Sequence, residues 1–175
     1  MARRRSEAEI QNELKRRLEE IEVLKQQALQ RGLAFTSPSE EELAKKIRGE
    51  SGKSPYIYAQ GWTSGTTPGS PASYQVWFAN PDPGGYYPVF VTIFFGLANF
   101  ANDISEGFDA RDFSWPYVSS ASTFLAAGAT GSASFSYTTP MVSRGTYLGN
   151  AVLWNGSYHD VGTYFDRGLF DVTLH

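Results

Sequence analysis

Ser132-Ala133-Ser134-Phe135-Ser136-Tyr137-Thr138-Thr139 alternates from Ser132 through Thr138. Ala133, Phe135 and Tyr137 take one set of positions, and Ser132, Ser134, Ser136 and Thr138 the other. In an extended chain successive side chains point to opposite faces, so this octet predicts a strand with one face in a core and one in water. The same period of two returns on both sides of it. Tyr74, Val76 and Phe78 share a face in 73–80, and Val89, Val91, Ile93 and Phe95 share one in 88–96. Tyr147, Ala151 and Leu153 do so in 146–154, Phe170, Val172 and Leu174 in 168–174, and a further strand is expected over 56–62. Between them lie Pro81-Asp82-Pro83-Gly84-Gly85, Gly128-Ala129-Thr130-Gly131 and Asn155-Gly156, whose residue types favour tight turns. Several short alternating strands split by such turns predict an antiparallel β-sandwich.

Working outward, the composition changes near Lys53. Residues 1–54 hold 12 of the 15 Lys and Arg and a single aromatic, Phe35, whereas 55–175 hold no lysine, 25 of the 26 aromatics and 14 of the 17 glycines. The expected organisation is a charged helical extension over 1–54, with helices at about 7–31 and 38–48, and a β-sandwich domain over 55–175. The first helix is marked by Ser6-x-x-Glu9, a capping box. Ile10, Leu14, Leu18, Ile21, Leu24 and Ala28 follow at spacings of three and four, with Gly32 as the stop. As heptads the seam reads Leu14, Arg17, Ile21, Leu24, Ala28, a poor coiled coil because Arg17 interrupts it. The stripe must nevertheless be buried, either on its own domain or on another chain. Ile10, Leu14, Leu18, Ile21 and Leu24 are therefore candidate oligomerisation residues. The second helix is expected to be capped by Ser37, with Pro38 at its first position, Glu40 to Glu42 in the first turn, and Lys45, Lys46 and Arg48 before Gly49.

Tyr74-Gln-Val-Trp-Phe-Ala-Asn80-Pro81, Pro88-Val-Phe-Val-Thr-Ile-Phe-Phe95, the alternating strand ending at Pro140, and Arg144-Gly145-Thr146-Tyr147 together resemble bacterial adhesion-type immunoglobulin-like domains, the CARDB group among them. The resemblance covers about 56–174. It implies an immunoglobulin-like β-sandwich whose work is binding or spacing. The aromatic stretch from Leu97 to Phe124 and the helical extension depart from the pattern.

The chemistry the sequence offers is sparse. The chain has no cysteine, which excludes disulfides and thiolate metal sites. The formal net charge of −3 points to neither nucleic acid nor an acidic partner, and Arg3-Arg4-Arg5 lies beside acids. Glu7, Glu9 and Glu13 stand where the apolar core of a signal peptide would be, and no apolar run suits a membrane span. The expected location is therefore cytoplasmic or within an assembled particle. Gly49-x-x-Gly52-Lys53-Ser54 lacks the spacing and the preceding strand of a phosphate loop. His159-Asp160, near Asp166, has no nucleophile elbow to serve. Asn155-Gly156-Ser157 has the form of a glycosylation acceptor and also of a turn.

Asp103, Glu106, Asp109 and Asp112 form the acid cluster of the β-domain. Carboxylates so spaced suit a calcium ion, a hydrolase acid pair, or simply a solvated loop with turn-capping acids. No other cofactor is implied. The aromatics Trp62, Trp77, Tyr86, Tyr87, Trp115 and Tyr117 are the candidate binding residues, because exposed rings suit sugars or a protein partner. The alternative is that they close the ends of the sandwich or receive the first helix. The expected function is a non-enzymatic structural or interaction protein, a sandwich docked through its helices to copies of itself or another subunit, as in a virion, tail-like or filament component. A glycan-binding module and, further behind, a carboxylate hydrolase are the alternatives.

Overall fold

The computed structural model describes residues 6–49, 55–81, 87–97, 120–126, 128–139, 144–155 and 164–175. Its elements are α1 (Glu7–Gln30), β1 (Ala34–Thr36), α2 (Glu40–Arg48), β2 (Tyr56–Trp62), β3 (Pro71–Ala79), β4 (Tyr87–Leu97), β5 (Ser120–Leu125), β6 (Thr130–Thr138), β7 (Gly145–Asn155) and β8 (Tyr164–Leu174). Among the described residues, eight strands make two four-stranded sheets, ordered β1-β2-β3-β6 and β5-β4-β7-β8, with each of these pairings antiparallel. This is an immunoglobulin-like β-sandwich carrying two N-terminal helices.

The alternation sets the core. Tyr74, Val76 and Phe78 of β3, Ala133 and Phe135 of β6, Ala151 and Leu153 of β7, and Phe170, Val172 and Leu174 of β8 meet between the sheets. Ser132, Ser134, Ser136 and Thr138 stand in solvent as expected. Phe170 stacks on Tyr74 with ring centroids 4.8 Å apart. It also covers its cross-strand partner Gly149, where a Cβ would collide with the ring.

Strand β2 breaks the alternation, since all seven of its residues are buried. Both faces of β2 are covered, one by the second sheet and one by the helices. On one face Ile57 and Trp62 join the core between the sheets, while Tyr56, Tyr58 and Ala59 join a second core against the helices, a register shift between Ile57 and Ala59 setting Tyr58 and Ala59 in the same cluster. A bulge adds one residue to a strand and so re-aims the side chains beyond it.

That second core is the home of the helical stripe. Ile10, Leu14 and Ile21 of α1 and Leu43, Ala44 and Ile47 of α2 pack with Tyr56, Tyr58, Ala59 and Ala79, with Leu18, Leu24, Phe35 and Trp77 at its margin. The cap of α1 is the expected one, Ser6 Oγ accepting from the Glu9 N–H at 3.1 Å. The cap of α2 is corrected from Ser37 to Ser39, whose hydroxyl accepts from the Glu42 N–H at 3.2 Å. Pro38 therefore precedes the helix. Gly49 ends α2 with φ 72°, the left-handed conformation that glycine adopts most cheaply. Two strands are additional to the expected set. β1 is a three-residue edge pairing with β2, and β5 pairs with β4.

Candidate interaction surface

Beneath α1 polar side chains stitch the helix to β2. Arg17, the residue that spoils the heptad seam, is only 5% exposed. Its guanidinium pairs with Glu20 and lies 5.4 Å above the ring of Tyr58. Glu13 stands 4.0 Å away on the preceding turn. Two sheet hydroxyls complete the set: Tyr56 donates to Glu13 at 3.1 Å and Tyr58 to Glu20 at 2.7 Å. Burial, and then the Glu13 carboxylate, push the Tyr56 phenol well above its ordinary range, while burial and then the hydrogen bond to Glu20 do the same for Tyr58. For Arg17, burial disfavours the cation, but Tyr56, Glu20 and Tyr58 together outweigh it and raise its pKa. One end of the helix layer is pinned as well, by Arg48 of α2 pairing with Glu7 of α1.

A second tie joins α2 to both sheets. Asp166 of β8 accepts from Lys46 Nζ at 2.7 Å and from the Ile57 N–H at 2.8 Å, and its other oxygen accepts from the Arg167 N–H at 2.9 Å. Sequence reasoning placed Asp166 only near a histidine. Beside this tie lies a cleft of about 250 Å³ with Ser37, Glu42, Lys46, Gln60, Arg167 and Leu169 in its walls. Gln60 is held there by the Tyr74 hydroxyl, which donates to its Oε1 at 2.7 Å.

The helices cover only half of the first sheet. On the outer face, α1 and α2 lie over β2, while β6 presents Ser132, Ser134, Ser136 and Thr138 to solvent. Where the covered and open halves meet, Trp77 of β3 is half-buried beside α1. A hollow of about 240 Å³ sits there, lined by Trp77, Gln75, Leu24, Gln27, Gln30 and Arg31, among others.

The sequence candidates divide accordingly. Trp62 is corrected from a surface ring to a core one: it is 6% exposed, packs on Phe170 at 5.2 Å, and donates its indole N–H to the Asp171 carbonyl at 2.7 Å. Trp77 keeps an open edge. Tyr87 opens β4 instead of lying in a loop, and its side chain is outside the description. Tyr86, Trp115, Tyr117, His159 and the acids Asp103, Glu106, Asp109 and Asp112 lie outside the described residues. The oligomerisation candidates Ile10, Leu14 and Ile21 are buried on their own sheet, with Leu18 and Leu24 partly so, and a partner would have to lift α1 to reach them. Among the described residues, no helix is long and apolar enough to cross a membrane.

No family model matches the chain, and no curated protein matches it. Among solved structures it is similar to a CARDB domain from Pyrococcus furiosus crystallised in complex with di-metal ions. The identity is 15%, covering 70% of this chain and 86% of that one, with a TM-score of 0.45. A sporulation control protein from Bacillus subtilis is matched at 9% identity over 70% of this chain and 49% of that one, with a TM-score of 0.43. A β-glucuronidase of glycoside hydrolase family 2 is matched at 7% identity over 70% of this chain and 11% of that one, also at 0.43. The group suggested by the strand pattern is thus met among the structural neighbours. Likeness at this level concerns the sandwich outline and says nothing of function.

Proposed function

We propose that this chain is a structural or interaction protein, a β-sandwich building block that joins copies of itself through the open half of its first sheet. The observation that carries the reading is the asymmetry of that sheet. Helices seal β2 with a buried apolar and ionic layer, and leave Ser132, Ser134, Ser136 and Thr138 of β6 in solvent. The helical segment acts as a rigid cap that fixes the shape of the block and leaves the uncharged β6 end of the sheet open for contact. Light scattering and native mass spectrometry of the full chain across a concentration series test this. A mass of two or more copies is expected, and a one-copy mass at every concentration would overturn self-association.

The hollow at Trp77 supports a second reading, glycan binding. An indole edge beside three glutamine amides and an arginine combines a flat apolar surface with hydrogen-bonding groups, as a sugar ring requires. A broad glycan array probed with the wild type and with Trp77→Ala decides it. Hits that vanish in the variant are expected, and an array without hits ends this reading.

A further inference from the structure

We infer that β6 is the contact itself, pairing antiparallel with β6 of a second copy to make one continuous eight-stranded sheet. The inference deepens the self-association reading and rests on it. A sheet edge presents unpaired backbone N–H and C=O groups, and folded proteins normally shorten, charge, bulge or cover such edges. Among the described residues the two sheets have four edges, and three of them are either shorter than β6 or covered. β1 is three residues long and β5 six. β8 is covered, because the Trp62 indole donates to the Asp171 carbonyl, the Gly65 N–H donates to the Thr173 carbonyl at 2.9 Å, and the Thr173 N–H donates to Ser64 Oγ at 3.1 Å. Among the described residues, β6 has none of these devices. It is nine residues long, pairs with β3 in unbroken register from Thr130 to Thr138, and contains no charge and no proline. Among the described residues no strand pairs with its far side.

The occupant follows from the strand's own sequence. Antiparallel pairing about a two-fold axis at Ser134 sets Ser132 against Ser136 and Thr130 against Thr138. Ala133 then meets Phe135 and Gly131 meets Tyr137, each a small residue opposite a large one. β6 already uses that logic within the chain, where Gly131 lies opposite Phe78 so closely that a Cβ would press on the ring. Serine and threonine pairs on the open face carry no like charges to oppose, and cross-strand pairs of this kind are favourable. A two-fold contact of a strand with itself is also a closed one, ending at two copies.

Ser134 is exposed and sits on the axis, so Ser134→Lys places two like charges opposite each other without disturbing the core. The full-length wild type is expected to be dimeric by light scattering, and S134K to dissociate about tenfold more readily. Ser134→Glu alone should behave the same way, and an equimolar mixture of S134K and S134E should recover the two-copy mass. A wild type that assembles while S134K assembles equally well would overturn the β6 contact and leave self-association by another face. A wild type that never assembles would overturn both.

Discussion

Gly149 and Phe170 show how a single missing carbon shapes the core. The ring occupies the space a side chain at 149 would need, and from there reaches Tyr74 and Trp62. Gly149→Ala must displace a ring that is wedged among other rings. Overpacking of this kind costs roughly 1–3 kcal/mol, so a denaturant midpoint well below wild type is expected, measured by tryptophan fluorescence. Arg17 makes the complementary case for charge. Removing it takes away the cation that Glu13 and Glu20 share beneath the helix, and breaking a buried pair costs about 3–5 kcal/mol. Arg17→Ala is expected to approach that loss in an equilibrium urea titration, because the side chain is nearly inaccessible to water.

Tyr56 and Tyr58 give the same layer a pH dependence. Their phenols start from an ordinary value of 10.0 and both are raised in the folded protein. The folded state therefore holds these protons more tightly than the unfolded one. Their contribution is complete below pH 10, and it falls as pH rises beyond 10 toward the folded values. Thermal melts at successive pH values above 10 should show a steep decline in the wild type and a shallower one in a Tyr56→Phe, Tyr58→Phe double variant. Equal slopes would mean that the two hydroxyls are not buried as described.

At the scale of elements, the Asp166 carboxylate holds α2, β2 and β8 together through three hydrogen bonds, one of them to a lysine. Charge-assisted bonds contribute about 1.5–3 kcal/mol when buried and less where water reaches them. Asp166→Ala is thus expected to loosen α2 first, seen as faster amide exchange at Leu43 to Ile47 with β3 and β6 unchanged. Nothing in the order of residues announced this tie, since 109 positions separate Asp166 from Ile57. Local patterns were far more legible. The period-two alternation of 132–139 and the stripe from Ile10 to Ala28 each identify a face, and the structure buries those faces where it describes them. β1 was missed because three residues are too few for a period, and β5 because Ser120-Ala-Ser-Thr-Phe-Leu125 does not alternate. The inward place of Trp62, a candidate binding ring in the sequence, is not legible for a related reason. The bulge after Ile57 changes which side chains of β2 point inward, and no residue type in Tyr56-Ile57-Tyr58-Ala59 reveals it.

Over the whole molecule, the change in composition near Lys53 separates charged chain from aromatic chain, yet one core runs across it. Tyr56, Tyr58 and Ala59 are 1–2% exposed in a cluster with Ile10, Leu14 and Ile21 of α1 and Leu43, Ala44 and Ile47 of α2. Sequence alone left open whether that stripe belonged to this chain or to another, because an amphipathic helix carries the same pattern in either case. The two cases part on truncation. If α1 were an arm for a partner, a chain lacking residues 1–33 would keep its melting temperature. With α1 as a cap, the shortened chain bares two tyrosines and strands the Lys46 helix on half its support, and unpartnered apolar surface of that kind promotes aggregation. The expected result is a lower melting temperature and loss of soluble protein, with partial recovery when a synthetic peptide of residues 6–33 is added in excess, since whatever binds only the folded state stabilises it. A truncated chain that melts where the full one does, and ignores the peptide, would return the helix to the role of a free arm.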